Sequence, residues 1–264
     1  MKKIILISVS LLCFCSAHSQ LGFSAGLRTG FVNSPDFRTF ANSYNQVMVD
    51  DISKKLGGFS PSFGWTINAD FRISSLFTGM RLNRIGGGKA IVEYKNTSKR
   101  HFLFHQNLFV AETGVGFGEG GSLVAITAGL VVGTDYIESY FEYPDGTISY
   151  GKDKLLNGVY QDSHFGYLVC LHLGIPIGET ISAYCNAEYL FGGAGGSSKS
   201  TLDDAHNDKK MDGAFSWAEG LPLDYEEYLL NDPNFEYDVE KYVRGTINGL
   251  RLEVGIRIQI GGGS

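Results

Sequence analysis

The sequence predicts an all-β fold: an eight-stranded antiparallel up-and-down transmembrane β-barrel with short periplasmic turns and long extracellular loops. Three features predict it: eight segments alternate apolar and polar residues, an N-terminal segment has the character of a secretory signal, and the connections alternate in length. Successive side chains of a strand point to opposite faces, so a period of two indicates one apolar and one polar surface. In an outer-membrane barrel the apolar surface contacts lipid and the polar surface lines the lumen.

Residues 1–20 are predicted to be a signal peptide, and residues 21–264 a single barrel domain. Two lysines precede an apolar run that ends at Cys15, and small residues follow it. This run is too short for a membrane-spanning helix, which needs about 20 apolar residues. Lipoprotein processing is disfavoured because the residues before Cys13 and Cys15 are bulky.

Composition supports an all-β chain and argues against one class of partner. Glycine makes up 35 of 264 residues, or about 13%, against a usual value of roughly 7%. The net charge is −6, and it becomes −8 when the two lysines of the signal are removed. Nucleic acid is excluded as an expected partner, since phosphate binding relies on clustered Lys and Arg.

The first four strands are predicted at residues 21–31, 59–73, 76–85 and 102–113. The fourth is the least regular, and we assign His105 to its polar face and allow a bulge within it. The apolar faces of the first three are Leu21, Phe23, Ala25 and Leu27; Phe63, Trp65, Ile67, Ala69, Phe71 and Ile73; and Thr78, Met80 and Leu82.

The last four strands are predicted at residues 122–135, 164–177, 181–191 and 246–260. The final segment alternates without a break, and we expect it to pair with the first strand and close the barrel. Cys170 and Cys185 fall on opposite faces of their strands, which excludes a disulfide between them. The apolar face of the last strand is Leu250, Leu252, Val254, Ile256, Ile258 and Ile260.

The predicted connections between strands alternate in length along the chain. Long outer loops are predicted at about residues 32–58, 86–100, 136–163 and 192–244, and the links after the even-numbered strands are short. Bacterial outer-membrane barrels have this arrangement, with both termini in the periplasm. A soluble sandwich has no reason to sort its loops in this way, so the parity favours the membrane barrel.

Charged residues of both signs fall on the predicted lumen faces. Because eight strands leave an interior that side chains can fill, we expect a plugged, polar lumen held by an ion-pair network. The predicted network is Arg28, Asp70, Arg72, Arg81, His105, His172, Glu188, Arg251, Glu253 and Arg257.

The signal, the eight alternating segments and the Gly-rich stretch LGFSAGLRTGF at residues 21–31 resemble the PorT-type, porin-like outer-membrane β-barrel family of didermic bacteria. The resemblance covers the whole mature chain and implies a multi-pass protein of the outer membrane, in contact with its lipid and exposed at the cell surface. It carries no catalytic motif. Many such barrels end on an aromatic residue, whereas this chain ends with three glycines and Ser264.

The predicted function is a non-enzymatic structural or binding role through the extracellular loops. The alternatives are a subunit of a larger outer-membrane complex or secretion system, a small-solute porin, and a rim-located lipid-modifying enzyme. No catalytic residue, metal or cofactor is predicted, and no ligand-binding residue is assigned. The enzyme alternative would draw on polar residues expected near the outer rim or in the longest loop, namely Ser163, His164, His101, His105, Asp203, Asp204 and His206.

The predicted loop at residues 192–244 is acidic, with twelve acids against five bases. Its alternating acids between Asp232 and Glu240 have the oxygen donors that Ca²⁺ prefers, but Tyr237 stands where an EF-hand loop needs glycine. An outward extension of a strand explains the alternation equally well. The loop also holds Trp217 and several leucines, so it is too apolar for a disordered tail. Two hypotheses follow: residues 223–230 form a short helix that caps the barrel, or the loop is an exposed surface that contacts a protein partner.

Overall fold

The computed structural model describes residues 19–118, 122–150, 157–194, 202–203 and 247–261. Each of its eight long strands is antiparallel to its neighbours in chain order, so the predicted eight-stranded antiparallel barrel is confirmed. The strands are β1 (Ser19–Asn33), β2 (Ser62–Ile73), β3 (Leu76–Tyr94), β4 (Lys99–Phe117), β5 (Leu123–Glu142), β6 (Gly158–Pro176), β7 (Ile181–Ala194) and β8 (Asn248–Ile260).

The barrel closes through the pairing of its first and last strands. β1 and β8 are antiparallel over their whole common length, from Leu21 opposite Ile260 to Asn33 opposite Asn248. This register confirms the predicted closure. Cys170 is buried, Cys185 is exposed and both are free thiols, as their opposite strand faces predicted.

An apolar belt surrounds the barrel. We give this name to the outward-facing apolar residues of the eight strands, which are exposed although they are large and hydrophobic. Such a surface on a closed barrel matches a bilayer, where every backbone polar group must be paired within the protein. Within the described residues, no helix has the length and apolarity needed to cross a membrane. One member from each strand in turn is Leu27, Ile67, Met80, Phe109, Ile126, Val169, Phe191 and Val254.

The two ends of the barrel differ. The short links from β2 to β3, from β4 to β5 and from β6 to β7 define the turn end, and the opposite end is the loop end. At the loop end β3, β4 and β5 continue well past the apolar belt, to Tyr94, Lys99 and Glu142. We call this part the extension. Which end faces the periplasm stays a prediction.

The extension corrects two predicted loops. Residues 86–100 are mostly strand, and β3 and β4 meet at a tight turn. Residues 136–163 include the last residues of β5 and the first residues of β6. The register of β3 against β4 shifts between Ile85 and Gly88, and Gly87 has a φ of 78°. This bulge moves the alternation by one residue. The three consecutive glycines therefore resemble a loop in sequence, although the strand resumes beyond them.

The predicted loop at residues 32–58 contains a helix, α1 (Pro35–Val47). Ser34 is its N-cap, and the Ser34 Oγ accepts a hydrogen bond from the Phe37 backbone N–H at 3.1 Å. Proline at the first helical position suits this start, because its missing N–H would be unpaired there anyway. After α1, a short strand, Ile52–Lys54, pairs with β3 near Tyr94.

Other predictions fall on parts of the chain that the structure does not describe. Residues 1–18 hold most of the predicted signal peptide, and β1 already begins at Ser19. Beyond the end of β7, residues 192–244 are described only in the two-residue strand Leu202–Asp203, which pairs with β6. The acidic segment and His206 therefore lie outside the described residues.

Candidate functional site

The lumen is the candidate site, and its middle is occupied by charges from six strands. We call this group the central charge network. All of its side chains are buried, and they come from positions that alternate with the outward apolar residues. The network is Arg28, Arg81, Glu112, His172, Glu188 and Glu253.

Two arginines share the acids of this network. Arg28 donates to Glu188, and its Nη1 lies 3.3 Å from the Glu253 Oε2. The Arg81 Nη1 lies 2.8 Å from the Glu188 Oε2, while its Nε lies 3.0 Å from the Glu112 Oε1. Both arginine side chains are almost completely buried. Such charges persist away from water only when they are paired. Each of these arginines contacts at least two carboxylates and donates a hydrogen bond to at least one of them.

Glu112 joins the arginines to a second set of polar groups. It accepts a hydrogen bond from the Thr127 hydroxyl at 2.7 Å, and the His172 Nε2 lies 3.3 Å away. On the other side of the ring, the His172 Nδ1 donates to the Asn186 Oδ1 at 3.1 Å. Glu253 also accepts a hydrogen bond from the Asn186 Nδ2 at 3.2 Å. Every acid in the central charge network therefore has at least two partners, and the pair of Arg81 with Glu188 links β3 to β7 across the lumen.

Sequence reasoning missed Glu112, because it assigned the faces of β4 one residue out of phase. The signal was present: Leu108, Val110 and Glu112 alternate with exposed Phe109 and outward neighbours. The inward and outward faces of β4 were interchanged in the prediction, because polar residues occur on both faces where β4 continues into the extension.

Glu112, Cys170 and His172 also form the one group among the described residues with metal-ligand chemistry, their donor atoms lying within 4.8 Å of one another. A cation there would stand beside the Arg81 guanidinium, which already contacts Glu112. The carboxylate also accepts from Thr127. Glu112 and His172 are thus engaged in contacts within the protein, as members of the central charge network.

Toward the turn end, the lumen holds a separate ion pair. The Arg257 Nε donates to the Asp70 Oδ2 at 3.0 Å, and its Nη2 bonds the other carboxylate oxygen. This bidentate geometry is the strongest arrangement for Arg and a carboxylate. Gly22 makes room for it, because a Cβ on that residue would lie 2.5 Å from the Arg257 Nε.

Toward the loop end, a second polar chain crosses the lumen. Arg251 donates to Gln106, whose Nε2 donates to the Asp135 Oδ1 at 2.5 Å. The His164 Nδ1 donates to the other oxygen of Asp135 at 2.7 Å. None of Gln106, Asp135 and His164 belonged to the predicted network, yet all three are buried.

Beyond this chain, the lumen becomes apolar. The buried face of α1 carries Phe37, Phe40, Ala41 and Tyr44, which pack against the inner face of the extension. The rings of Phe37 and Phe40 each meet Phe102 at 5.6 Å in an edge-on contact, and the Tyr44 hydroxyl bonds that of Tyr94. We call this cluster the outer plug. It comprises the four α1 residues with Ile85, Ala90, Val92, Phe102, Phe104, Ile137 and Ile247.

Eight of the ten predicted network residues lie buried in the lumen: Arg28, Asp70, Arg81, His172, Glu188, Arg251, Glu253 and Arg257. Arg72 is only half-buried at the turn end, where its Nη2 donates to the Gly118 carbonyl at 2.6 Å. His105 corrects the prediction: it lies on the outward face of β4, between the inward Phe104 and Gln106.

The rim histidines do not come together. His101 lies opposite Tyr140 and His164 opposite Gly133, seven residues apart along β5, or about 23 Å at ~3.3 Å per residue. His101 is in the extension, where its ring stacks on Tyr140 at 4.6 Å and its Nε2 lies 2.8 Å from the Glu142 Oε2. Ser163 is exposed on the outward face of β6.

The contact between His101 and Glu142 in the extension is accompanied by displaced pKa values. Hydrogen bonds from Lys99, the larger cause, and from His101 hold the pKa of the Glu142 carboxyl below its usual range. Burial lowers the pKa of the His101 ring, and the hydrogen bond to Glu142 opposes that effect. The pair therefore behaves as a structural contact on the outer face of the extension.

No protein-family model and no curated protein matches the chain. Among solved structures, it is similar to Ail, the attachment invasion locus protein of Yersinia pestis, solved in complex with the heparin analogue sucrose octasulfate (9% identity, 92% of this chain and 99% of that chain, TM-score 0.37). It is also similar to Neisserial surface protein A (10%, 91% and 96%, 0.31) and to the outer membrane protein OprG of Pseudomonas aeruginosa (7%, 93% and 97%, 0.34). At such identities and TM-scores these likenesses carry no argument about function, and the barrel is established by its own strand pairing.

Proposed function

We propose that this chain is a non-enzymatic integral outer-membrane β-barrel protein with a structural or binding role through its loop end. The proposal rests on one observation: the barrel has an apolar outer surface, and its lumen is blocked at two successive depths. The central charge network fills the middle of the barrel, and the outer plug covers the loop end. An eight-stranded barrel has an interior that side chains can fill completely, so this arrangement leaves no wide path for solutes.

The same observation disfavours the small-solute porin. Conduction would require the buried ion pairs of Arg28 and Arg81 to separate, which leaves charges uncompensated and costs several kcal/mol. It would also require α1 to leave the outer plug and expose Phe37 and Phe40. Neither rearrangement is small.

The rim enzyme is disfavoured by hydrogen bonding. A catalytic histidine needs a nucleophile bonded to one ring nitrogen and an orienting group on the other. His101 and His164 each have the carboxylate, but the remaining nitrogen of each ring has no hydrogen-bond partner among the described residues. Membership of a larger complex stays an alternative, and the extension and the acidic loop at residues 192–244 are the surfaces we propose for a partner.

Three measurements test the proposal together. The folded protein should be found in the outer-membrane fraction and should change its gel migration on heating, as closed barrels do. Reconstituted in planar bilayers, it should give no open-channel current. Purification in mild detergent should then decide between a lone barrel and a complex subunit. A soluble periplasmic protein would overturn the membrane assignment, and steady single-channel conductance would overturn the closed lumen.

A further inference from the structure

One charged residue stands out in the ring of side chains just past the apolar belt at the loop end. On β1, β4, β5, β6 and β8 the first outward position beyond the belt is polar but uncharged. On β3 it is Arg84, which directly follows the belt residue Leu82 on the same face. The uncharged members of the ring are Asn33, Asn107, Thr134, Ser163 and Asn248.

Two other basic side chains lie near Arg84. Lys89 follows it on the outward face of β3, beyond the bulge, and both side chains are exposed. Among the described residues, neither side chain forms an ion pair with an acid. The outward ring of His105 lies beside them, since a Cβ on Gly86 would lie 2.5 Å from its Nδ1. We call Arg84, Lys89 and His105 the basic patch.

An aromatic residue adjoins the basic patch at the edge of the belt. Trp65 on β2 lies opposite Arg84 in the register, and Phe63 lies opposite Gly86. Both rings are exposed, Phe63 to 68%. Tryptophan prefers the boundary between hydrocarbon and headgroups, so this register places the Arg84 guanidinium at headgroup depth. Arginine binds phosphate through two parallel hydrogen bonds, and adjacent bases attract anionic headgroups.

We propose that the basic patch, with Trp65 beneath it, is a binding site for a lipid whose headgroup carries phosphates on its sugar. The site rests on the proposed function, because it needs the barrel in a membrane, with the loop end toward the leaflet that contains this sugar-phosphate lipid. The acyl chains lie along the belt below Trp65, and the phosphates meet Arg84 and Lys89. A binding site here also leaves the lumen closed, since all of these side chains point outward.

The test compares the full chain with two charge-neutralised variants in detergent micelles, using native mass spectrometry to count bound lipid A that carries two phosphates. Arg84→Gln/Lys89→Gln removes the two strong bases of the patch. Lys55→Gln/Lys95→Gln makes the same change in net charge far from the belt, where both lysines are exposed. At roughly fivefold loss per base near the headgroups, the patch variant, which lacks two bases, should bind about 25-fold more weakly. The control should stay within about twofold of the unchanged chain.

Dephosphorylated lipid A is the matched ligand, and all three proteins should bind it alike. Burial, the largest cause, and Arg84 lower the pKa of His105 against the opposing effect of the Glu138 carboxylate, and this pKa is a second readout. Phosphate beside Arg84 should raise it, while the dephosphorylated lipid should leave it unchanged. Equal binding by the patch variant, or an equal loss in the control variant, would overturn the site.

Gel migration before and after heating accompanies every sample. If the unchanged chain shows no barrel behaviour and no membrane fraction, the proposed function fails and the lipid site fails with it. If all three proteins behave as barrels but bind lipid A equally, only the lipid site fails. The exposed positions of both variants make loss of folding an unexpected result.

Discussion

At the scale of single residues, the lumen depends on charges that have been taken out of water in pairs. Arg257 and Asp70 show this most simply, because they form a bidentate pair apart from the central charge network. The desolvation of two ions can exceed their attraction, so such a pair adds little net stability. The loss of one partner is a different matter, since it leaves the other charge buried alone.

Arg257→Met should therefore lower the free energy of unfolding by about 3–5 kcal/mol, measured by urea unfolding in lipid vesicles. The double variant Asp70→Leu/Arg257→Met should recover most of this loss, because no unpaired charge remains. Lys54→Met, which breaks the exposed pair with Glu93, should change stability by at most about 1 kcal/mol. Equal losses in the single and double variants would contradict the account.

A pH effect belongs to the same scale, but outside the membrane-spanning part. The folded pKa of Glu142 lies below its usual value of 4.5, so ionised Glu142 stabilises the fold above that pH. The stabilisation is lost as the pH falls through the lowered folded value. Glu142→Gln should flatten this part of the acid dependence of the melting temperature, and Lys99→Gln should do so nearly as much. A melting profile unchanged by Glu142→Gln would contradict it.

At the scale of elements, α1 and the extension depend on each other. The extension is three strands whose inner face is apolar, and an exposed sheet face of that kind would be unstable in water. The helix covers it with Phe37, Phe40 and Tyr44, while the serine cap fixes where the helix starts. The helix alone is too short to be stable without this packing.

Phe40→Ala should loosen the outer plug without opening the barrel. Its ring is 1% exposed, and removal of a buried phenylalanine costs about 3–5 kcal/mol. Hydrogen exchange should accelerate in α1 and in the facing part of β4, while planar bilayers should stay silent because the central charge network is intact. Gln46→Ala, on the exposed side of the same helix, is the control and should leave exchange unchanged. Accelerated exchange throughout the barrel would mean that the plug is not a separate unit.

At the scale of the whole molecule, closure removes every free edge from the eight strands within the belt. An open sheet edge cannot exist in lipid, because its backbone groups would have no hydrogen-bond partners. The contact of β1 with β8 joins residues more than 200 positions apart in the chain. Its register also determines which lumen charges meet, since it places Arg28 opposite Glu253.

A disulfide should trap this closure. Ala25 lies opposite Ile256 with both side chains outward, a spacing that a disulfide can span. In a chain with Cys185→Ser, the variant Ala25→Cys/Ile256→Cys should cross-link once folded and should resist heat-induced change in gel migration until it is reduced. Ala25→Cys/Leu252→Cys, displaced by four residues along β8, should not cross-link. Cross-linking of the displaced pair alone would show a different register.

The sequence by itself determined the strand number, the closing pair and most of the lumen charges. These follow from a local property, since period-two alternation sets the face of each residue wherever the strand is regular. The assignment of residues to the two faces was wrong where a strand was irregular. The Gly86–Gly87 bulge hid the extension, and polar residues on both faces of β4 put His105 inside and left Glu112 out.

Only the tertiary structure decided how the lumen is filled. The predicted loop contains a helix signal that sequence reasoning did not use. It consists of the cap Ser34, Pro35 and the helical spacing of Phe37, Phe40, Ala41 and Tyr44. No local pattern shows that this helix turns inward onto the extension, since that requires an apolar inner face assembled from three strands. The partners of Arg81 and Arg257 likewise depend on barrel closure, because an ion pair across the lumen joins residues that the chain itself keeps far apart.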